Sequence, residues 1–259
     1  MADPVSIGLT YTEFAAAVGK FLGYGRDSTA WSAEETTEIS DAVNRGARSF
    51  YYPPVLPNEK TVHVWGFLKP TATINLAEGI ELRTIADVTF GGMLGNQMTF
   101  VSQTAYAPIL IVGEPLLREK RQYADTTGRP QYVAVRPRAH TGEIKQSFEL
   151  VFWPTPDAVY AVKYRYNAIP YKLDANHTYP FGGVQHSETI LAACLAAAER
   201  DLDDEVGTHT QDFMTKLAAS VSFDRRTTGI PQFGDYGGNT DNAIRPRNPN
   251  GVSYNDVYY

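Results

Sequence analysis

The chain has 259 residues, of which 43% are hydrophobic and 20% charged, so it can bury a sizeable core as one large domain or two small ones. Its formal net charge of -6 argues against a general attraction to nucleic acid, because nucleic-acid binders usually carry a clustered basic excess. The single cysteine, Cys194, excludes an internal disulfide and a multi-cysteine metal site, and it fits a reducing compartment.

The sequence contains no evident sorting or anchoring segment. No run approaches the ~20 apolar residues that a membrane helix needs, so we expect no membrane partner. The segment Met1–Val5 lacks the basic and apolar regions of a signal peptide, so we expect no export signal of that kind.

Residues 1–60 are predicted to form two amphipathic helices, at about 10–22 and 32–51. Each helix begins with a capping box, in which a Ser or Thr and a Glu three residues later satisfy free amides of the first turn. The two boxes are Thr10 with Glu13 and Ser32 with Glu35. A short connection makes an antiparallel pair the expected arrangement.

Residues 61–180 are predicted to form a β-rich region, either a sandwich or a small barrel. Short apolar runs separated by Pro, Gly or Asn indicate the strands. The candidate strands are 62–68, 71–74, 80–85, 88–90, 98–101, 109–112 and 132–135, with a brief helix at 114–123.

Residues 148–167 are predicted to form a β-hairpin. The run from Tyr160 to Tyr166 alternates aromatic or apolar side chains with Ala, Lys and Arg, as a half-buried strand does. Pro156 and Asp157 favour a turn before it, and prolines are excluded from the interior of a strand ladder.

Residues 184–222 are predicted to be helical again, with an Ala-rich helix around Ile190 and a capping box at Thr208 and Gln211. The fold class is therefore α+β, with the N- and C-terminal helices in one bundle and the β-rich domain inserted between them. Residues 223–259 are rich in Gly, Pro, Asn and Asp but carry spaced aromatics, which favours an extended C-terminal arm that becomes ordered on a partner.

Four separated patches resemble the head-to-tail adaptor, or connector, proteins of tailed bacteriophages. They are Val62–Pro70, Gly128–Arg136, Trp153–Ala158 with its Tyr-rich strand, and the Ala-rich helix near Ile190. The resemblance implies a virion protein of the head-tail junction, made in the host cytoplasm. Such a protein forms a ring, commonly of twelve copies, beneath the portal protein and continues the DNA channel.

The resemblance also implies partners and a docking element. The partners are the portal protein, other copies of the chain, and tail tube, nozzle or fibre-attachment proteins. DNA passes through the lumen of the ring without sequence-specific binding. The family has no catalytic motif, so neither enzyme activity nor a cofactor is expected. Family members often engage the portal through a terminal extension, which here corresponds to the arm. Its candidate docking residues are Arg225, Arg226, Phe233, Tyr236, Arg245, Tyr254, Tyr258 and Tyr259.

Several other groups of residues are candidates for a metal, catalytic or phosphate-binding site, but they lack the spacing that such a site needs. The groups are His177 with His186 and Glu188 for a metal; Asp201, Asp203, Asp204 and Glu205 for a hard cation; Ser187 for a triad; Cys194 for a nucleophile; and Gly91–Gly95 for a phosphate loop. Helical zinc spacing, calcium-loop alternation and the Lys-Ser/Thr of a phosphate loop are all missing. We expect solvated, core or turn residues at these positions.

Two further interpretations concern the surface of the protein. The densest basic spots could meet DNA or an acidic neighbour, although solvated surface charges are the simpler interpretation. These spots are Arg118, Lys120 and Arg121, and Arg136 with Arg138. The alternative function is a carbohydrate-binding or depolymerising module of a phage tail, which clustering of Trp31, Trp65 and Trp153 in an open groove with carboxylates would favour.

Overall fold

The computed structural model describes residues 7–57, 59–85, 89–101, 106–138, 147–203 and 207–228. The helices are α1 Tyr11–Phe21, α2 Ala33–Tyr51, α3 Glu114–Tyr123, α4 Val184–Asp203 and α5 Thr208–Thr228, with a 3-10 turn at Gly66–Leu68. The strands are β1 Thr71–Leu76, β2 Leu82–Thr84, β3 Phe90–Phe100, β4 Ile109–Ile111, β5 Tyr132–Pro137, β6 Phe148–Trp153 and β7 Tyr160–Ala168. The protein is therefore a mixed helix and sheet fold, as the α+β prediction requires.

Both N-terminal helices begin where their capping boxes predict. The Thr10 amide donates to Glu13 Oε2 at 2.8 Å, and the Glu13 amide donates back to Thr10 Oγ1. The Ser32 amide donates to Glu35 Oε2 at 2.7 Å, with the same reciprocal bond. Local hydrogen bonding of this kind fixes a helix start without tertiary help.

The seven strands form a nearly closed, barrel-like sheet in the order β1-β7-β3-β4-β5-β6-β2. All neighbouring strands are antiparallel except β4 and β5. Strand β3 pairs with β7 along one part and with β4 along another, so it joins the two halves of the sheet. The segment Gly91–Gly95 lies inside β3 at register shifts, where a turn was predicted. That prediction is wrong, because glycines in a strand also mark bulges.

The predicted hairpin at 148–167 is also wrong, although both of its strands exist. Strand β6 pairs with β5 and β2, whereas β7 pairs with β1 and β3. The connection between them is held by other segments: the Thr155 amide donates to Thr126 O, and Pro156 O accepts from the Gly79 amide. These bonds hold the connection where the chain crosses from one half of the sheet to the other.

Strand β7 shows the predicted alternation. Its aromatic and apolar side chains are buried, and the intervening Lys163 and Arg165 are exposed. The segment at 62–68, predicted to be a strand, instead ends in the 3-10 turn. Trp65 explains the difference, because its fully buried ring packs against α2 and its Nε1 donates to Phe50 O at 2.9 Å.

One continuous core joins the helices to the sheet. It includes Phe14, Val43, Phe50, Ile190 and Leu217 from the helices, and Leu76, Met98, Phe152 and Val162 from the strands. Helix α4 contacts α1, α2 and α5, so N-terminal and C-terminal helices touch. A small second core lies under α3, where Leu117 packs on Ala134 of β5 and Val151 of β6.

Helix α5 differs from its prediction at both ends. Its first amides, from His209 and Thr210, donate to the carboxylate of Glu199 in α4, where a local box at Thr208 and Gln211 was predicted. The helix continues to Thr228, past the boundary placed after residue 222. Among the described residues, no helix combines the length and the apolar character that a bilayer crossing requires.

Candidate functional site

The predicted docking arm begins on the last turns of α5, which are tied to the segment before the 3-10 turn. Asp224 Oδ2 lies 2.9 Å from His63 Nε2 and accepts a hydrogen bond from the Gly66 amide at 3.0 Å. The side chains of His63 and Asp224 are only 9% and 6% exposed. Because a buried carboxylate is costly without partners, these contacts hold the end of α5 against residues 63–66.

Two predicted docking residues lie on this helix end. Arg225 donates to Glu59 Oε2 at 2.5 Å, and this hydrogen bond lowers the pKa of the Glu59 carboxyl. Arg226 is exposed, and its Nε donates to Ser222 O within the helix. Both arginines are therefore helical, which corrects their assignment to an extended segment. The other six candidates lie outside the described residues: Phe233, Tyr236, Arg245, Tyr254, Tyr258 and Tyr259.

An aromatic cluster supports the same helix end. Its rings are Phe50, Trp65, Phe67, His186 and Phe223, and the His186 ring centroid lies 5.3 Å from Trp65 and 5.9 Å from Phe223. Burial lowers the pKa of His186, so the neutral imidazole is favoured. The cluster joins α2, α4, α5 and the 3-10 turn into one rigid support for the end of α5.

A groove runs beside this support, between α5 and the residues Leu56, Pro57 and Glu59. It has a volume of about 650 Å³. Its apolar side is formed by Leu56, Met214, Ala218 and Val221, and Glu59, Arg225 and Arg226 provide charges at its edge. The two arginines are the predicted docking residues on the last turns of α5, and Glu59 lies on the facing segment.

The histidine group does not converge on a metal. His177 is exposed, with Nδ1 3.1 Å from Asp174 Oδ1, whereas His186 is buried and Glu188 is exposed. Among the described residues, no group of three or more His, Cys, Asp or Glu is arranged to hold a metal ion. Ser187 does not form a triad with its neighbours, because its hydroxyl donates to Val184 O at 2.7 Å.

The acidic group and the cysteine also have structural roles where they are described. Asp201 receives both terminal nitrogens of Arg45 at 2.6 Å. The side chains of the other three acidic residues, Asp203, Asp204 and Glu205, lie outside the described part of the chain. Cys194 is fully buried, and burial raises the pKa of its thiol to about 12, so a reactive thiolate is disfavoured.

The three tryptophans lie in separate environments. Trp31 packs near Gly19 and Ile39, Trp65 is buried in the aromatic cluster, and Trp153 packs on Tyr132 with Nε1 donating to Ala124 O. A sugar ring needs an exposed aromatic face, which Trp65 does not offer. The structure therefore does not bring these residues into the groove that the carbohydrate alternative requires.

The basic spots are largely neutralised within the chain. Arg118 binds Glu114, Arg136 binds Glu149 at 2.5 Å, and Arg121 pairs with Glu81 and donates to Phe152 O. Lys120 lies over the rings of Tyr132 and Trp153. The Arg138 amide donates to Ser147 O. The guanidinium groups of Arg118, Arg121 and Arg136 are therefore shared with carboxylates of the same chain and are less available for phosphates.

Sequence reasoning missed the pairing of His63 with Asp224. One signal was available, because Asp224 continues the buried stripe of α5 that Leu217 and Val221 define. A carboxylate on an apolar stripe needs a buried partner. No pattern in the neighbouring sequence identifies its partner, His63, which lies 161 positions away.

The sequence matches no protein-family model and no curated protein.

Proposed function

We propose that the protein is a head-to-tail adaptor of a tailed bacteriophage, a structural virion protein without catalytic activity. In this proposal twelve copies form a ring beneath the portal, continue the DNA channel and present the surface to which tail proteins attach. The helices α1, α2, α4 and α5 act as one bundle in each subunit. Residues 229–259 extend from it and dock on the portal.

The observation that carries the proposal is that the four adaptor-like patches contact one another in two pairs. The Gly128 amide donates to Thr155 O at 2.8 Å, which joins the second patch to the third. The ring of Trp65 lies 5.3 Å from that of His186 in α4, which joins the first patch to the fourth. Patches that are distant in sequence therefore contact each other in pairs in the fold, as expected if the resemblance reflects a shared architecture.

The charge distribution supports a conduit through which DNA slides. Tight nucleic-acid binding needs cations that replace phosphate counterions. In this chain, Arg118, Arg121 and Arg136 are instead paired with carboxylates of the same chain. A net charge of -6 adds to this effect.

The anchored end of α5 supports the docking role of residues 229–259. Asp224 and Arg225 bind residues 59–66, so the segment that follows starts from a fixed point on the folded body. A fixed starting point lowers the entropy cost of docking a terminal segment. In the proposal, its portal contacts are made by Phe233, Tyr236, Arg245, Tyr254, Tyr258 and Tyr259.

The test compares the full chain with a chain ending at Thr228, each alone and mixed with the portal protein of the same virion, by native mass spectrometry. We expect a ring-sized complex with the portal only for the full chain. A cut at residue 222 is a poorer test, because it also removes Asp224 and Arg225 and with them the bonds to His63, Gly66 and Glu59.

Circular dichroism of the shortened chain separates loss of docking from loss of folding. We expect an unchanged spectrum, since the described core lies before residue 229. A full-length variant in which the aromatic residues after 229 are replaced by alanine is the matched control for length. If the full chain stays monomeric with the portal, or if the shortened chain assembles equally well, the proposal fails.

A further inference from the structure

A second cleft, of about 510 Å³, lies between α2 and the residues that follow β7. Its rim carries Arg45, Arg48 and Lys172 together with Asp41, and its floor includes the buried Tyr51. Among the residues that the structure describes, none lines both this cleft and the groove beside α5.

The rim of this cleft is cationic, in contrast to the chain as a whole. Arg45 is held by the bidentate pair with Asp201, which fixes its guanidinium at the rim. Lys172 is 60% exposed and only loosely paired, with Nζ 3.9 Å from Asp41 Oδ1. Arg48 is exposed and forms no ion pair with any residue that the structure describes. Arg48 is thus available to a ligand, and Lys172 can exchange its loose contact with Asp41 for one.

Aromatic and aliphatic side chains form part of the cleft lining, beside the polar side chain of Asn44. Tyr51 is buried, and the ring of Tyr171 is held between His177 and Phe181, at centroid distances of 4.4 and 4.8 Å. At the mouth, Tyr52 is 58% exposed and Ile169 is 46% exposed. Exposed Tyr and Arg side chains around an apolar depression are the residue types that dominate binding energy at protein interfaces.

We propose that this cleft binds an acidic peptide segment of a partner protein. A carboxylate of the segment pairs with Arg48 and Lys172, and a neighbouring aromatic or aliphatic side chain packs on Tyr52 and Ile169. Charge complementarity selects an acidic partner, and the exposed side chains of Tyr52 and Ile169 select a peptide over a bare anion. The confined volume admits single side chains, whereas duplex DNA presents its phosphates on a convex surface.

The test uses a positional-scanning library of synthetic hexapeptides and the full-length chain, with binding read by fluorescence anisotropy. Pools with Asp or Glu fixed beside Tyr, Phe or Leu are expected to bind best, and the matching pools with Asn or Gln about ten-fold more weakly. Pools with fixed Lys are expected to show no binding. A library without preference for acidic residues would overturn the proposal.

Substitutions at the cleft test whether the peptide binds there. The double substitution Arg48→Gln with Lys172→Gln is expected to weaken binding of the best pool about ten-fold, and Tyr52→Ala also weakens it. Lys163→Gln removes an exposed cation from β7 and is expected to leave binding unchanged. Equal losses in the double variant and in Lys163→Gln, or displacement of the peptide by a short duplex DNA, would contradict a peptide site in this cleft.

Discussion

Gly46 of α2 lies directly against the backbone of Cys194 in α4. A Cβ atom at Gly46 would stand 2.4 Å from Cys194 Cα and 2.7 Å from Ala193 C, closer than such atoms can approach. The small side chain of Ala193 permits this close contact, and Ala193 is buried beside Gly46. The join between N-terminal and C-terminal helices therefore depends on the absence of one side chain.

The substitution Gly46→Ala is expected to destabilise the protein by about 3 kcal/mol, since two backbones must separate to admit the methyl group. Urea unfolding followed by circular dichroism measures the change. Gly128→Ala is the control, because its nearest neighbour, Pro154 Cβ, would lie at an ordinary 3.8 Å. Similar stabilities for the two variants would show that α2 and α4 do not pack as described.

Trp65→Ala is expected to cost about 3 to 5 kcal/mol, as for other fully buried large aromatic residues. The indole fills the space between Phe50, Phe67 and His186 and donates its N–H to Phe50 O. Thermal and urea unfolding provide the measurement. Tyr123→Ala is the control, because Tyr123 is 82% exposed and should matter little. A folded Trp65→Ala protein of unchanged stability would contradict the core role of this residue.

Glu199→Ala is expected to cost about 1 to 3 kcal/mol, because the amides of His209 and Thr210 lose their acceptor at the start of α5. Glu199→Gln keeps one acceptor oxygen and should cost less. Glu188→Ala, at an exposed position of the same helix, controls for helix propensity. The free energies of unfolding of the three variants test whether Glu199 caps α5. Equal values for Glu199→Ala and Glu188→Ala would rule out the capping role.

His186 is expected to make stability fall as the pH decreases from about 7 to about 5. Burial lowers its pKa below the ordinary value of 6.5; Asp224 opposes this effect and His63 adds to it. The unfolded chain therefore binds a proton in this range more readily than the folded chain, and unfolding is favoured as the pH falls.

The variant His186→Phe removes this proton uptake and keeps a ring in the aromatic cluster. Its unfolding free energy should decrease less than that of the wild type between about pH 7 and about pH 5, as urea titrations at the two pH values would show. His177→Phe is the control, because His177 is exposed and bonded to Asp174. Parallel pH profiles for the wild type and His186→Phe would refute the assignment.

Local structure was readable from the sequence wherever neighbouring residues supply the decisive bonds. The capping boxes at Thr10 and Ser32 predicted the starts of α1 and α2, and Glu114–Tyr123 was found as a helix with the predicted limits. The alternation after Tyr160 predicted which face of β7 is buried. Each of these features depends on contacts within a few residues.

Tertiary structure alone decided which elements pair. Strands β6 and β7 follow each other in the chain but pair with different neighbours, because the prolines between them carry no amide and the flanking backbone bonds to Thr126 and Gly79. The start of α5 is capped by Glu199 and its end is held by His63, neither of which is a local neighbour. A sequence pattern reports that a polar group must be satisfied, but only the fold determines which distant group satisfies it.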